Sequence, residues 1–465
     1  MLNRLNPVLL TWTSQFIQFG SAIFILPLLI KVLSTEQIAI WFVFQLVMGL
    51  GMLADAGFGS TWVRVNAYYY AGAQKIPENI NDFKKLDQTD SNNPNWQGLR
   101  TALATSHLIY LGLASLGVLI LLGPGTLMVK NVIFLDGNHV SDWYAYLAVV
   151  VSSFFGLLSV RWSSTLQGLG MLARTKQIDI FIGLFRLSAY VVILLSGYGL
   201  LSLMLVTTFL SIIQFFVLRH LTLAWFKHKS PDLSGKPTFN RDLFKTVWPA
   251  TWRFGSIVLG SYFINNGIGV LVSQINNAAL VASFLFTMRV LMFGRQVAQS
   301  PLYARLPDIM HLMAKKDICG VKSLFSRALA LELSILSLLL LVIGLAGNQI
   351  LAMIGLKPLV LTLDFYIPLA IWLLLEAHHA AHAQVYMTSN HVPFLLPSLL
   401  SGLVIMMLGY IILPGYGLLG LVFVQLLVQI SFNNWYPVFL LLKLLEWPFK
   451  DYIKSLFNFK KLRTN

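Results

Sequence analysis

Runs of about twenty apolar residues recur along the whole of this 465-residue chain, separated by short polar stretches. That is the length an α-helix needs to cross the hydrocarbon core of a bilayer. The windows fall at 7–33, 38–59, 104–127, 143–166, 178–196, 199–218, 247–272, 278–302, 328–354, 363–387, 393–413 and 418–442. Lipid offers no partner to backbone N–H and C=O groups, so each window is expected to be helical. The pattern predicts an all-α integral membrane protein of about twelve transmembrane helices.

The polar stretches give the organisation. The basic segment Leu218–Thr246 contains Lys229-Ser-Pro-Asp and Gly235-Lys-Pro and falls near the middle of the chain. It reads as a linker, giving an N-terminal six-helix lobe with linker over 1–240 and a C-terminal six-helix lobe with a basic cytoplasmic tail over 241–465. The halves echo one another: amphipathic polar segments follow the second and eighth windows, and short polar turns follow the fourth and tenth, at Leu166-Gln-Gly-Leu-Gly-Met171 and Gln384-Val-Tyr-Met-Thr-Ser-Asn390. Two units with an even number of spans share one orientation, which predicts two lobes around a central cavity.

Composition agrees, with 57% hydrophobic and only 11% charged residues, which excludes a soluble domain. The net charge of +15 would raise the question of nucleic acid in a soluble protein. Here the basic residues sort by side. Only Lys31, at the end of the first window, and Lys130 and Lys357, after the third and ninth, belong to the odd-numbered side, five arginines lie inside windows, and the rest follow even-numbered windows or sit at the termini. The positive-inside rule then places both termini in the cytoplasm, and no nucleic-acid partner is needed to explain the charge. The single cysteine, Cys319, is expected in a polar loop, and the first window is expected to be retained rather than cleaved as a signal peptide.

The five arginines inside the apolar windows carry the chemistry: Arg161, Arg186, Arg253, Arg289 and Arg295. Each costs roughly 2.5–3.5 kcal/mol at the bilayer centre on the insertion scale, so several persist only when they face a wet, protein-lined cavity. A guanidinium matches two phosphate oxygens at once, which suits an anionic, phosphorylated substrate. Other roles stand beside that one. Arg253 sits near a span end and could snorkel to the interface, while Arg161 and Arg186 could bridge helices, Arg186 through Asp179 seven residues earlier. Within 363–387, Glu376 with His378, His379 and His382 forms a titratable cluster; Glu376, His379 and His382, together with Asp55, are candidates for ion coupling, and Asp55 also reads as a turn residue. A lone Glu-x-x-His without a second copy argues against a metal site. Asn265 and the Asn434-Trp435 pair could bind and stack on sugars, or Asn265 and Asn434 could bridge helices.

The opening segments Phe19-Gly-Ser, Leu26-Pro-Leu-Leu, Leu33-Ser-Thr-Glu-Gln-Ile-Ala-Ile-Trp and Leu53-Ala-Asp-Ala-Gly-Phe-Gly-Ser-Thr-Trp-Val-Arg64 resemble the polysaccharide-flippase branch of the multidrug/oligosaccharidyl-lipid/polysaccharide exporter superfamily. The resemblance covers essentially the whole chain. It implies a bacterial inner-membrane protein that flips polyprenyl-pyrophosphate-linked oligosaccharides, such as O-antigen or capsule repeat units, with that lipid-linked substrate, membrane lipids and other glycan-assembly membrane proteins as partners and no cofactor. No G-x-x-x-x-G-K-[ST] run is present, so turnover would draw on an ion gradient or substrate removal. Two rivals remain open: a drug exporter of the same superfamily, which would favour an acidic cavity, and a membrane-embedded glycan polymerase or ligase, which would favour a large external loop.

Overall fold

The computed structural model describes Thr13 and residues 25–76, 93–136, 139–229, 238–388 and 393–457. Among these every regular element is helical. The chain divides into two compact units, Met1–Leu259 and Gly260–Asn465.

The first unit begins with α1 (25–32) and α2 (Thr35–Met52), whose N-cap Ser34 accepts the Gln37 N–H at 3.1 Å. The second apolar window was expected to run to residue 59, but the helix ends in a 3-10 turn at Leu53–Asp55. Ala56 and Gly57 then adopt left-handed φ of 47° and 79°, and a Cβ at Gly57 would meet Phe254 at 2.5 Å. A side chain there is excluded twice, by backbone and by space. The chain restarts as α3 (Phe58–Tyr70). Next comes α4 (Trp96–Ile120), which runs through a π turn at Leu121–Gly125 into α5 (Thr126–Leu135). Pro124 lies in that turn, where a helix must do without one N–H, and the Tyr146 hydroxyl donates to the Leu121 carbonyl inside the membrane. Three long helices follow, α6 (His139–Gly168), α7 (Leu172–Leu195) and α8 (Leu200–Lys229), and then α9 (Arg241–Val272), inside which the division between the units falls. Phe58, Trp62 and Tyr110 are fully buried where α3 and α4 meet.

In the second unit α10 (Ala278–Ala314), α11 (Ile318–Met353), α12 (Leu363–Met387), α13 (Leu395–Val428), α14 (Tyr436–Leu444) and the short α15 (Phe449–Phe457) follow in order. Gly417, at φ 55° and ψ −143°, breaks α13 into two spans, and a π turn at Gln429–Asn433 leads towards α14. Glycine also sets helix contact. A Cβ at Gly260 would lie 2.6 Å from the Ser398 backbone, and one at Gly402 would lie 3.0 Å from the Gly260 carbonyl, so α9 and α13 approach closely through small residues, as membrane helices commonly do. Phe325, Val385, Leu441 and Tyr452 fill the core beneath α15.

Nine helical segments among the described residues are long and apolar enough to cross a membrane. One of them, Leu395–Leu444, holds two expected spans divided at Gly417. The first window lies largely outside the described residues, and α12 stays below the hydropathy of the others because it carries Asp364, Glu376 and three histidines. This is a multi-pass, all-helical membrane protein of about twelve transmembrane helices. Several helices exceed their apolar windows: α8, with 30 residues, is about 45 Å long at 1.5 Å per residue, while the hydrocarbon core is about 30 Å thick. Cys319, expected in a loop, sits exposed in the first turn of α11, because the Asp317 side chain caps that helix by accepting the Gly320 N–H at 2.8 Å.

Candidate functional site

Within the first unit, α2, α3, α6, α7 and α8 line an open cavity of about 920 Å³. Its polar wall is periodic. On α6, Ser152, Ser159, Ser163 and Gln167 recur at helical spacing, so one face of an otherwise apolar helix presents hydroxyls and an amide to the cavity. The hydroxyls of Ser152 and Ser153 are buried without a hydrogen-bond partner among the described residues. From α7 come Asp179 and Arg186, on one face as their spacing of seven implied. They do not pair. Asp179 instead accepts from Lys176 Nζ at 3.4 Å and from Gln214 Nε2 at 3.1 Å, while Arg186 makes no ion pair among the described residues and its buried Nε–H has no acceptor. A guanidinium without an ion pair among the described residues therefore borders a cavity with a serine-rich wall.

Arg161, on α6, has a different environment. Its Nε donates to Ser106 at 3.1 Å, Nη2 donates to the Leu103 carbonyl at 2.7 Å, Nη1 lies 3.2 Å from His107 Nδ1, and the guanidinium carbon stands 4.0 Å from the Trp162 ring centroid. It ties α6 to α4 through neutral groups. Asp55 is likewise occupied, accepting from the Gly59 N–H at 3.1 Å and the Tyr110 hydroxyl at 2.9 Å, so it holds the start of α3. Arg253 is exposed on α9 between Trp252 and Phe254, which are exposed as well.

The second unit holds a charged cluster. Arg295 Nη2 lies 3.3 Å from Glu376 Oε1, and the other carboxylate oxygen lies 3.2 Å from His379 Nδ1. Gln429 Nε2, from the π turn, approaches the same ring nitrogen at 2.6 Å. Only one of these contacts on Nδ1 is a hydrogen bond at a time: unprotonated, the nitrogen accepts from the Gln429 amide, and protonated it donates to the Glu376 carboxylate. Proton occupancy is thereby coupled to an ion pair. Glu332 on α11 is fully buried, neither of its oxygens has a hydrogen-bond partner among the described residues, and it lies within electrostatic reach of Arg295.

The remaining expected residues lie elsewhere in this unit. His382 donates from Nδ1 to the His378 carbonyl at 2.7 Å and packs edge-on against Phe325, while His378 reaches the Tyr452 hydroxyl at 2.8 Å and Asn434 Oδ1 at 3.4 Å. Asn265 donates to the Ser261 carbonyl of its own helix at 2.8 Å. Trp435 is exposed and donates to the Ser431 carbonyl at 2.7 Å. Arg289 is partly buried and makes no ion pair among the described residues. Sequence reasoning missed the serine wall, Gln214, Glu332 and Gln429. The serine periodicity on α6 was a usable signal, whereas the others become visible only when helices are packed together.

No protein-family model and no curated protein matches the chain. Solved structures do. The lipid II flippase MurJ in an inward closed conformation aligns over 97% of this chain and 90% of its own, with a TM-score of 0.65 at 14% identity. An inward-facing multidrug resistance MATE family transporter of the MOP superfamily aligns over 93% and 95%, also at TM-score 0.65 and 14% identity. A MOP superfamily transporter from Pyrococcus furiosus Vc1, whose binding pocket is described as reversed in polarity, aligns over 96% and 98% at TM-score 0.55 and 14% identity. The chain thus has the architecture of a multi-helix membrane protein. More particularly, it shares the fold of these three solved structures over 93–97% of its length.

Proposed function

We propose that the chain flips polyprenyl-pyrophosphate-linked oligosaccharide repeat units, of the O-antigen or capsule kind, from the cytoplasmic to the outer leaflet of a bacterial inner membrane by alternating access. The observation that carries this reading is the cavity of the first unit, where Arg186, without an ion pair among the described residues, borders a wall that includes Ser159, Ser163 and Gln167. An unpaired cation within a membrane span is costly, and a hydroxyl-rich anion would relieve that cost when it binds. Arg253 and Arg289 are the proposed contacts for the pyrophosphate, with Asn265, Asn434 and Trp435 as further substrate contacts. Residues 1–240 and 241–465 would act as the two lobes. Both termini would face the cytoplasm, and the protein would act as a carrier with no catalytic step.

Coupling is assigned to Glu376 and His379, because a proton on Nδ1 exchanges one partner of that nitrogen for the other. Asp55 has both carboxylate oxygens occupied and His382 is held through Nδ1 against its own helix, so both serve this reading only as supports for their helices. Drug export is the second reading, favoured by the Asp179 carboxylate in the same cavity, which would suit a cation. The test is reconstitution in vesicles with a fluorescent lipid-linked oligosaccharide and, separately, an organic cation. Movement of the lipid-linked glycan supports the proposal; movement of the cation alone sinks it.

A further inference from the structure

The cavity of the first unit contains one basic side chain among its lining residues, and that fact narrows the ligand. Asp179, the acid in the same wall, is already held by Lys176 and Gln214, so the charge of Arg186 is left without a counter-ion there. One guanidinium fork matches one carboxylate through two parallel hydrogen bonds. A pyrophosphate carries more charge than a single arginine balances. The rest of the lining suits a pyranose ring: hydroxyls of Ser60 and Ser163 and the amide of Gln167, all solvent-accessible, for its polar edge, and Met52 and Val160 for its C–H face. A volume of about 920 Å³ is at the upper end of the range for small-molecule sites, which run from about 300 to 1,000 Å³.

We propose that this cavity is a glycan subsite selective for a sugar bearing one carboxylate, of the uronic-acid type, and that Arg186 is the residue that determines the selectivity. The inference rests on the flippase reading and makes it more specific: the repeat unit carried by this protein contains an acidic sugar, read away from the pyrophosphate. Arg186 would contact the carboxylate directly. The serine wall would tolerate several hydroxyl configurations, because hydroxyl donors rotate to meet their acceptors.

The experiment is saturation-transfer NMR on the detergent-solubilised full chain with four probes: D-glucuronate, D-glucose, inorganic pyrophosphate and tetraethylammonium. Glucuronate is expected to bind at least ten times more tightly than glucose, and Arg186→Ala is expected to weaken glucuronate binding about ten- to a hundredfold while leaving glucose unchanged. Arg186→Lys keeps the charge and loses the fork, so it should recover only part of the preference; it also tests the idea should the alanine variant fail to fold. Lys357→Ala, on an exposed loop, should bind both sugars as the wild type does. Equal binding of the two sugars, a preference that survives in the Arg186 variants, or displacement of glucuronate by equimolar pyrophosphate or tetraethylammonium would each overturn the assignment. In vesicles, equal transport of neutral and uronate-bearing lipid-linked glycans removes the selectivity and leaves the flippase reading standing. Failure to move either glycan removes the flippase reading itself.

Discussion

Breaking the Arg295–Glu376 pair should cost far more than replacing it whole. The two side chains are 14% and 7% exposed and 3.3 Å apart, and Glu376 Oε2 is 3.2 Å from His379, so deleting either member leaves a buried charge without its main partner. Single removals from buried pairs cost about 3–5 kcal/mol, whereas exchanging both members for apolar residues of similar volume is often neutral. Unfolding in detergent leaves helices that still find polar partners, which pulls the expected value towards the lower end, about 3 kcal/mol. Arg295→Ala and Glu376→Ala should therefore each be destabilised by about that amount. Arg295→Met combined with Glu376→Leu should regain most of it, a coupling that a double-mutant cycle reads directly. The assay is reversible denaturation of purified protein in mixed micelles, with transport in vesicles measured on the same preparations. The double variant should be stable and inactive, because proton exchange at His379 would have no carboxylate to answer it. Single variants within about 1 kcal/mol of wild type, or an active double variant, would refute both the energetic and the coupling argument.

Three further outcomes follow from other parts of the molecule. Gly260→Ala should lose about 1–3 kcal/mol by overpacking, since its Cβ would stand 2.6 Å from the Ser398 backbone, whereas Gly112→Ala, with nothing within 4 Å, should be neutral or slightly stabilising; equal effects in thermal unfolding would contradict the close α9–α13 approach. Reporter fusions after Gly197 and at Asn465 should report opposite sides of the membrane, and agreement between them would reverse the topology drawn from the basic residues. Arg253→Ala and Arg289→Ala should each reduce glycan transport about tenfold or more, with partial recovery in the lysine variants; full transport by both alanine variants would free these residues from any pyrophosphate contact.

What the sequence made legible, and what it did not, follows from what a bilayer enforces. The helices were legible because lipid leaves the backbone no alternative. Their ends were not, because a helix such as Leu200–Lys229 continues into water after its apolar window stops, and because Ala56-Gly57 turns the chain by backbone geometry that hydropathy does not register. Partnerships were less legible still. Spacing put Asp179 and Arg186 on one face, yet Asp179 is satisfied by Lys176 and by Gln214 of a neighbouring helix, and Arg295 finds Glu376 on another helix rather than a residue one turn away. Contacts of that kind are fixed by helix packing, which the order of residues does not encode locally.

The same constraint gives the five arginines a meaning that their positions alone did not. If each were there to hold helices together, each would be expected to have its donors filled, since lipid supplies no substitute partner. Arg161 meets that standard, with three polar neighbours and an aromatic face, and Arg295 meets it in part through Glu376. Arg186 does not: it lines a cavity, its buried Nε–H has no acceptor and it makes no ion pair, while Arg289 is partly buried and also without an ion pair, both among the described residues. An arginine retained in a membrane without an internal ion pair needs some other stabilisation, and the flippase proposed above would supply it as water in one state and an anion in another.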